Sequence, residues 1–269
     1  MQTPVNPLKQ ALAQGRPQIG FWMAMANPIS AEICAGAGFD WLLIDGEHSP
    51  QTLPLVLAQL QAIAAYPGCH AIVRVPSSDP VTIKTYLDLG AQSLLVPMVD
   101  TAEQAAAIVD AARYPPQGSR GIGGARAARW GRYPRYIHEA NDQIGLIVQI
   151  ETMRALDNIE AIAAVQGIDA LFIGPADLSA SMGHVGQPAH PEVQQATLDA
   201  FRRIRAAGRA AGILTRDEEF ARRAIEHGAL IVGVGVDTLV LAAQTSALAS
   251  RNLTVTQPEA GMLQIRSAK

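Results

Sequence analysis

Residues 145–183 read GLIVQIETMRALDNIEAIAAVQGIDALFIGPADLSASMG. Two continuous apolar runs, 145–150 and 170–173, flank a stretch at 154–164 whose apolar residues recur at helical spacing. Neither run alternates with polar residues, which is how a parallel strand covered on both faces reads. Parallel neighbours need a crossover connection, and the intervening stretch supplies one in helical form. Polar residues gather where each run ends: Gln149 and Glu151 at the first, Asp177 after the second.

The same rhythm continues in both directions. Further strands are predicted at 19–24, 41–45, 71–75, 93–97, 212–215 and 230–234. Helices are predicted at 29–36, 53–65, 80–89, 102–112, 193–208, 218–227 and 238–250. Thr52, Asp79 and Thr101 are placed to cap them, and Gly90, Gly208 and Gly228 to stop them. Eight strands alternating with eight helices over roughly 250 residues predict an α/β fold of the (β/α)8 TIM-barrel type. No linker or compositional shift divides the chain, so one domain is expected over 1–269. A doubly wound nucleotide-binding sheet competes, but GIGGAR at 121–126 carries arginine in place of the third fingerprint glycine, and no strand runs into it. No nucleotide is therefore expected. The interval 100–143 breaks the rhythm, and a long stretch of this kind is expected to be a lid or a subunit contact.

Of the 269 residues, 49% are hydrophobic and 17% charged, against roughly 25% charged residues in an average soluble chain. Disorder is excluded and a large core is expected. So sparse a charge also predicts that part of the surface is buried in a homo-oligomer. A net charge of −3 gives no reason to expect nucleic acid or an anionic membrane as a partner. Cys34 and Cys69 cannot build a disulfide framework and match no zinc spacing. Segment 1–18 is too polar for a secretory signal, and no apolar run approaches the roughly 20 residues of a membrane span. A cytoplasmic location is expected.

In a TIM barrel the residues just past the C-terminal ends of the strands line the active site. That rule yields Asp45, Glu47 and His48 after the second strand, Arg74 after the third, and Gln149 and Glu151 after the fifth. Asp177 follows the sixth, Thr215 and Arg216 the seventh, and Asp237 the eighth. Glu151 and Asp177 follow neighbouring strands. Two carboxylates without a histidine or thiolate beside them suit a hard divalent cation such as Mg2+ or Mn2+; a helix cap and a salt bridge are the alternative. Gly174 and Pro175 force a tight turn into a short helix, whose free N–H groups suit an anion. Among six histidines only His48 follows a strand end, where a base titrating near neutral pH is useful.

Arg74 ends an apolar strand and needs an anion: a developing enolate, a substrate carboxylate, or an ion pair with Asp45 or Glu47. None of the three lysines, Lys9, Lys84 and Lys269, follows a strand, so a Schiff-base mechanism has no candidate and carbonyl chemistry would need a metal. Six arginines and no acid lie in 113–136, interleaved with Tyr114, Trp130, Tyr133 and Tyr136. The acidic balance elsewhere argues against nucleic acid there and for an anion-attracting lid or an interface.

The segments WLLIDGEHSP (41–50), VRVP (73–76), LLVPMV (94–99), RYPPQGSRGIGG (113–124), VQIET (148–152), FIGPADLSASMG (172–183) and VGVDT (234–238) occur together in one order. In this the chain resembles the class II pyruvate aldolases of the 4-hydroxy-2-oxoheptanedioate aldolase (HpcH/HpaI) family over residues 8–249. The likeness is greatest to members that cleave 4-hydroxy-2-oxoheptanedioate to pyruvate and succinate semialdehyde, and it implies that activity with Mg2+, Mn2+ or Co2+. It further implies Glu151 and Asp177 as metal ligands, His48 as base, Arg74 as the stabiliser of charge on the substrate oxygen, and Gln149 and the Ala176 backbone as substrate contacts. Hexamers built as trimers of dimers are implied, with Asp88, in YLDLG, raising the basicity of His48. A helix after the third strand runs back to the barrel bottom, so Asp88 should not reach His48 of its own barrel, and an acid at a helix C-terminus opposes the macrodipole. That leaves Asp88 of a neighbouring subunit, or Asp45 from within, to orient His48. The alternatives are the same chemistry on 2-dehydro-3-deoxy sugar acids, giving a hydroxyaldehyde, and an acyl-CoA lyase.

Overall fold

A computed structural model describes residues 1–253. Its eight strands pair in chain order into a closed parallel barrel: β1 (Gln18–Met23), β2 (Trp41–Asp45), β3 (His70–Arg74), β4 (Ser93–Val96), β5 (Gly145–Ile150), β6 (Ala170–Ile173), β7 (Ala210–Leu214) and β8 (Ala229–Val236). The register runs Asp45 beside Arg74, Arg74 beside Leu95, and Ile150 beside Ile173, so the polar strand ends predicted above collect at one mouth. The helices are α1 (Pro7–Ala13), α2 (Pro28–Ala35), α3 (Leu53–Ile63), α4 (Pro80–Asp88), α5 (Ala102–Ala112), α6 (Tyr136–Gln143), α7 (Met153–Asp157), α8 (Ile159–Ala164), α9 (Pro175–Ser181), α10 (Pro191–Ala206), α11 (Glu218–Glu226) and α12 (Asp237–Leu253). The expected domain 1–269 includes 254–269, which lie outside the described residues. None of the described helices is long and apolar enough to cross a membrane.

Side chains alternate along each strand between two apolar layers. Trp22, Trp41, Leu43, Ile72, Leu95, Ile147 and Phe172 fill the barrel, and Leu42, Ile44, Val73, Leu94, Val148 and Leu171 pack outward under the helices. Thr52, Asp79 and Thr101 accept the predicted capping bonds from Leu55, Thr82 and Gln104 N–H. Gly90, Gly208 and Gly228 sit at φ +97°, +78° and +100°, the left-handed conformation that ends a helix at little cost only without a Cβ.

Several elements depart from the sequence expectation. Helix α1 was not anticipated; it sends Leu8 and Leu12 into the layer that fills the barrel, each contributing roughly 1.5–3 kcal/mol by burial. Asn6, fully buried, ties this segment to Gln92 O, Ser93 Oγ and Gln143 O. The helix expected at 154–164 is two, α7 and α8, because Asn158 leaves helical geometry and donates to Asp100 O at 2.8 Å. Strand β8 runs two residues beyond its expected end, since a bulge between Gly20 and Trp22 keeps it paired with β1 as far as Val236.

The interval 100–143 is not a detached lid. Arg120 is fully buried, stacks over Tyr114 at 4.4 Å and bonds Asp88 at 2.6 Å. Arg126 donates to Leu89 O at 2.5 Å, and Tyr114, Tyr133, Tyr136 and Ala140 form a small core of their own. The segment is thus fastened to the C-terminal end of α4. The sequence argument left Asp88 without a partner in its own chain; Arg120 is that partner, 32 residues away.

Candidate active site

At the C-terminal mouth of the barrel lies a cavity of about 440 Å3, lined among others by Trp22, His48, Arg74, Gln149, Ala176, Asp177, Thr215 and Arg216. Arg74 projects from the last position of β3. Its Nε and Nη2 donate to the two oxygens of Asp45, at 2.9 and 2.6 Å, and its Nη1 meets Glu47 Oε2 at 2.9 Å. Both carboxylates that the sequence offered are therefore its partners. The guanidinium has five N–H groups, so two remain for a ligand. Trp22 holds the fork from behind, its ring centroid 5.1 Å from the guanidinium carbon and its Nε1 donating to Asp45 Oδ2 at 3.1 Å.

Asp45 also accepts the backbone N–H groups of Glu47 and His48. Burial pushes its carboxyl up, but the Arg74 hydrogen bonds and charge with these two N–H groups outweigh it and hold the group below the usual range. Asp45 is thereby committed to Arg74 and to the backbone of the turn. It touches the main chain of His48, not the ring, which corrects the idea that it orients the imidazole. The ring is 67% exposed, and its Nε2 lies 3.7 Å from Glu47 Oε2.

Glu151 is buried just past β5 and accepts from Met98 N–H at 2.8 Å and from Gln149 Nε2. Met98 adopts φ +57° to aim that N–H, a strained backbone of the kind found at ligand clamps. Burial first, then the charges of Asp177 and Glu47, push the Glu151 carboxyl up to about 7 against the pull of its two donors. Asp177 lies in the first turn of α9, a helix with no side-chain cap. Gly174 makes room for this arrangement: a Cβ there would stand 2.5 Å from Glu151 Oε2 and 2.8 Å from Gln149 Nε2.

Glu151 and Asp177 are the donors that could hold a hard cation. The repulsion from Asp177 that adds to burial in raising Glu151 is what a divalent ion would relieve, and Gln149 Oε1, buried without a hydrogen-bond partner among the described residues, leaves an unmet acceptor beside them. The donor set fits such an ion.

Not every predicted group reaches the cavity. Asp237 is a clamp, accepting from Ala24 and Met25 N–H at 2.8 and 3.2 Å and fixing the end of β1. Lys9 pairs with Asp169 at 3.0 Å, at the start of β6, Lys84 lies within α4, and Lys269 is outside the described residues. Asp88, at the end of α4, is with Arg120. The sequence reading missed Trp22, whose inward register in β1 was the available signal. It also missed the backbone N–H of Met98, for which no side-chain pattern speaks.

The family model described as HpcH/HpaI aldolase/citrate lyase matches residues 18–243. A 4-hydroxy-2-oxovalerate aldolase of Rhodococcus jostii (strain RHA1) is 66% identical over 251 residues, covering 93% of this chain and 97% of that protein. A 4-hydroxy-2-oxo-heptane-1,7-dioate aldolase of Klebsiella pneumoniae subsp. pneumoniae is 58% identical, covering 91% and 93%. The crystal structure of a family protein from Burkholderia cenocepacia J2315 superposes with a TM-score of 0.87 at 40% identity, covering 92% and 99%.

Proposed function

Because the chain belongs to the HpcH/HpaI aldolase/citrate lyase family, we propose that it cleaves 4-hydroxy-2-oxo acids to pyruvate and an aldehyde as a class II, divalent-metal-dependent aldolase. The observation that carries this reading is the convergence of the buried Glu151 with Asp177, beside the two unspent N–H groups of Arg74 and the exposed ring of His48.

Glu151 and Asp177 would hold Mg2+, Mn2+ or Co2+, which when bound supplies Lewis-acid polarisation of the 2-oxo group. The remaining roles belong to the chain. The uncapped start of α9, at Ala176, receives the substrate carboxylate, and Gln149 borders the same region. His48 takes the proton of the C4 hydroxyl; the C3–C4 electrons move into a C2–C3 double bond, and C4 leaves as the aldehyde carbonyl. Arg74 meets the oxygen on which charge develops, and its pairing with Asp45 and Glu47 keeps the fork fixed while that happens. Protonation at C3 then gives pyruvate.

The two relatives' names share carbons C1–C4 of their substrates and differ beyond. Arg216 borders the cavity along with Leu214 and Leu239, which supports a substrate tail that carries a carboxylate, such as 4-hydroxy-2-oxoheptanedioate. Asp88 enters only across a subunit boundary, in a trimer of dimers, where the Asp88–Arg120 pair of one chain would face His48 of another. Mixing Asp88→Ala with His48→Ala chains tests this, since some mixed sites carry neither lesion and activity partly returns. The aldolase reading is tested by following pyruvate release from both substrates. Chelation should abolish it, Mg2+, Mn2+ or Co2+ should restore it, and borohydride with pyruvate should trap no adduct. Full activity in excess chelator would refute it.

A further inference from the structure

A second cavity, of about 290 Å3, lies at the opposite end of the barrel, where β3 begins at His70 and Gln92 leads into β4. Its walls come from α3, from the approach to β4 and from the Arg-rich segment. They include Arg126 and Arg129 but no acidic residue. Among the described residues Arg126 makes one hydrogen bond, from Nη1 to Leu89 O, and its Nε is buried without a partner. Arg129 makes neither an ion pair nor a side-chain hydrogen bond among the described residues. The two guanidiniums are close enough that Arg129, after burial, lowers the pKa of Arg126.

Half-buried arginines are ordinarily paired, because removing a guanidinium from water without an anion is costly. The backbone beside them is strained: Arg129 and Trp130 adopt φ +48° and +53° in succession, a conformation that side chains of their size rarely take. The remaining walls are mixed: Leu60, Ile63, Tyr66, Tyr133 and Tyr136 supply apolar and aromatic surface, and His70 and Gln92 supply polar surface. His70 is neutral there, its pKa pushed down to about 4 by burial, and is tied to Ser93 Oγ at 2.8 Å, so it adds no charge.

We propose that this cavity is a second ligand site, for a small organic carboxylate held at its charged end by Arg126 and Arg129 and along its apolar body by Leu60, Ile63 and Tyr66. The planar fork of arginine matches a carboxylate, and the apolar walls distinguish an organic acid from a bare inorganic anion. The site is separate from the mouth of its own barrel and does not rest on the aldolase reading.

Calorimetric titration of benzoate into the full chain, with Mg2+ and pyruvate present at saturation, tests it. The expected result is binding at one site per chain that pyruvate does not displace. Affinity should fall about tenfold or more in Arg129→Gln and in Arg126→Gln, with benzamide and inorganic phosphate binding much more weakly. Arg126 also supports Leu89, so thermal unfolding is recorded for both variants. Should Arg126→Gln not fold, Arg129→Gln carries the test alone, since the Arg129 side chain has no hydrogen bond or ion pair among the described residues. Absence of binding, equal binding of benzamide or phosphate, displacement by pyruvate, or unchanged affinity in a folded Arg129→Gln would each overturn the proposal.

Discussion

Glu151 offers a test in which a proton and a metal ion compete for one carboxylate. Its carboxyl is raised to about 7, chiefly by burial and then by Asp177 and Glu47. A divalent cation requires the ionised form, so apparent affinity falls as the group protonates. With one competing proton at a pKa of about 7, affinity should be near its limit at pH 8, about half of it at pH 7, about tenfold lower at pH 6 and about a hundredfold lower at pH 5. Each ion bound at pH 6 should release about 0.9 of a proton, against about 0.1 at pH 8. Titration of Mn2+ in pairs of buffers with different ionisation enthalpies reads both quantities, and Glu151→Gln should bind weakly with the pH dependence gone. The same shift has a consequence for stability without metal. A carboxyl raised in the folded state contributes stability that is complete below its unfolded pKa and lost as pH rises through about 7. Melting of the metal-free protein should therefore move to lower temperature between pH 5 and 8, and Mn2+ should recover most of the loss at pH 8. Affinity that is flat from pH 6 to 8, with no proton release, would refute the reasoning.

Gly174→Ala adds no charge but places a Cβ 2.5 Å from Glu151 Oε2 and so displaces that carboxylate; metal affinity by titration should drop at least about tenfold although neither Glu151 nor Asp177 is replaced. His48→Ala should reduce turnover by roughly 10²–10⁴-fold with Mn2+ affinity nearly unchanged; wild-type turnover would move the base to another group. Arg74→Lys keeps one positive charge but loses the two-pronged contact to Asp45 and the third bond to Glu47, so kcat should fall severely and melting temperature should decrease. Unchanged kcat in that variant would remove Arg74 from the reaction.

The eight strands, their order and the polar groups at their ends were legible in the sequence because each is a local property. A buried parallel strand is a short apolar run, a cap is one residue before a helix, and a strand end in a barrel points at the mouth wherever the rest of the chain goes. His48, Arg74, Gln149, Glu151 and Asp177 needed no more than that. Other features depend on partners far apart in the chain. Arg74 finds Asp45 across 29 residues, Glu151 takes the N–H of Met98 across 53, and Asp237 clamps Ala24 across 213. Whether Asp237 was a mouth residue or a brace, and whether Asp88 had a partner in its own chain, could not be told from residue types. The same holds for Glu151, whose raised pKa is set by how deeply the folded barrel buries it and by which charges it brings alongside. Periodicity is written along the chain, whereas burial and pairing exist only once distant segments have met.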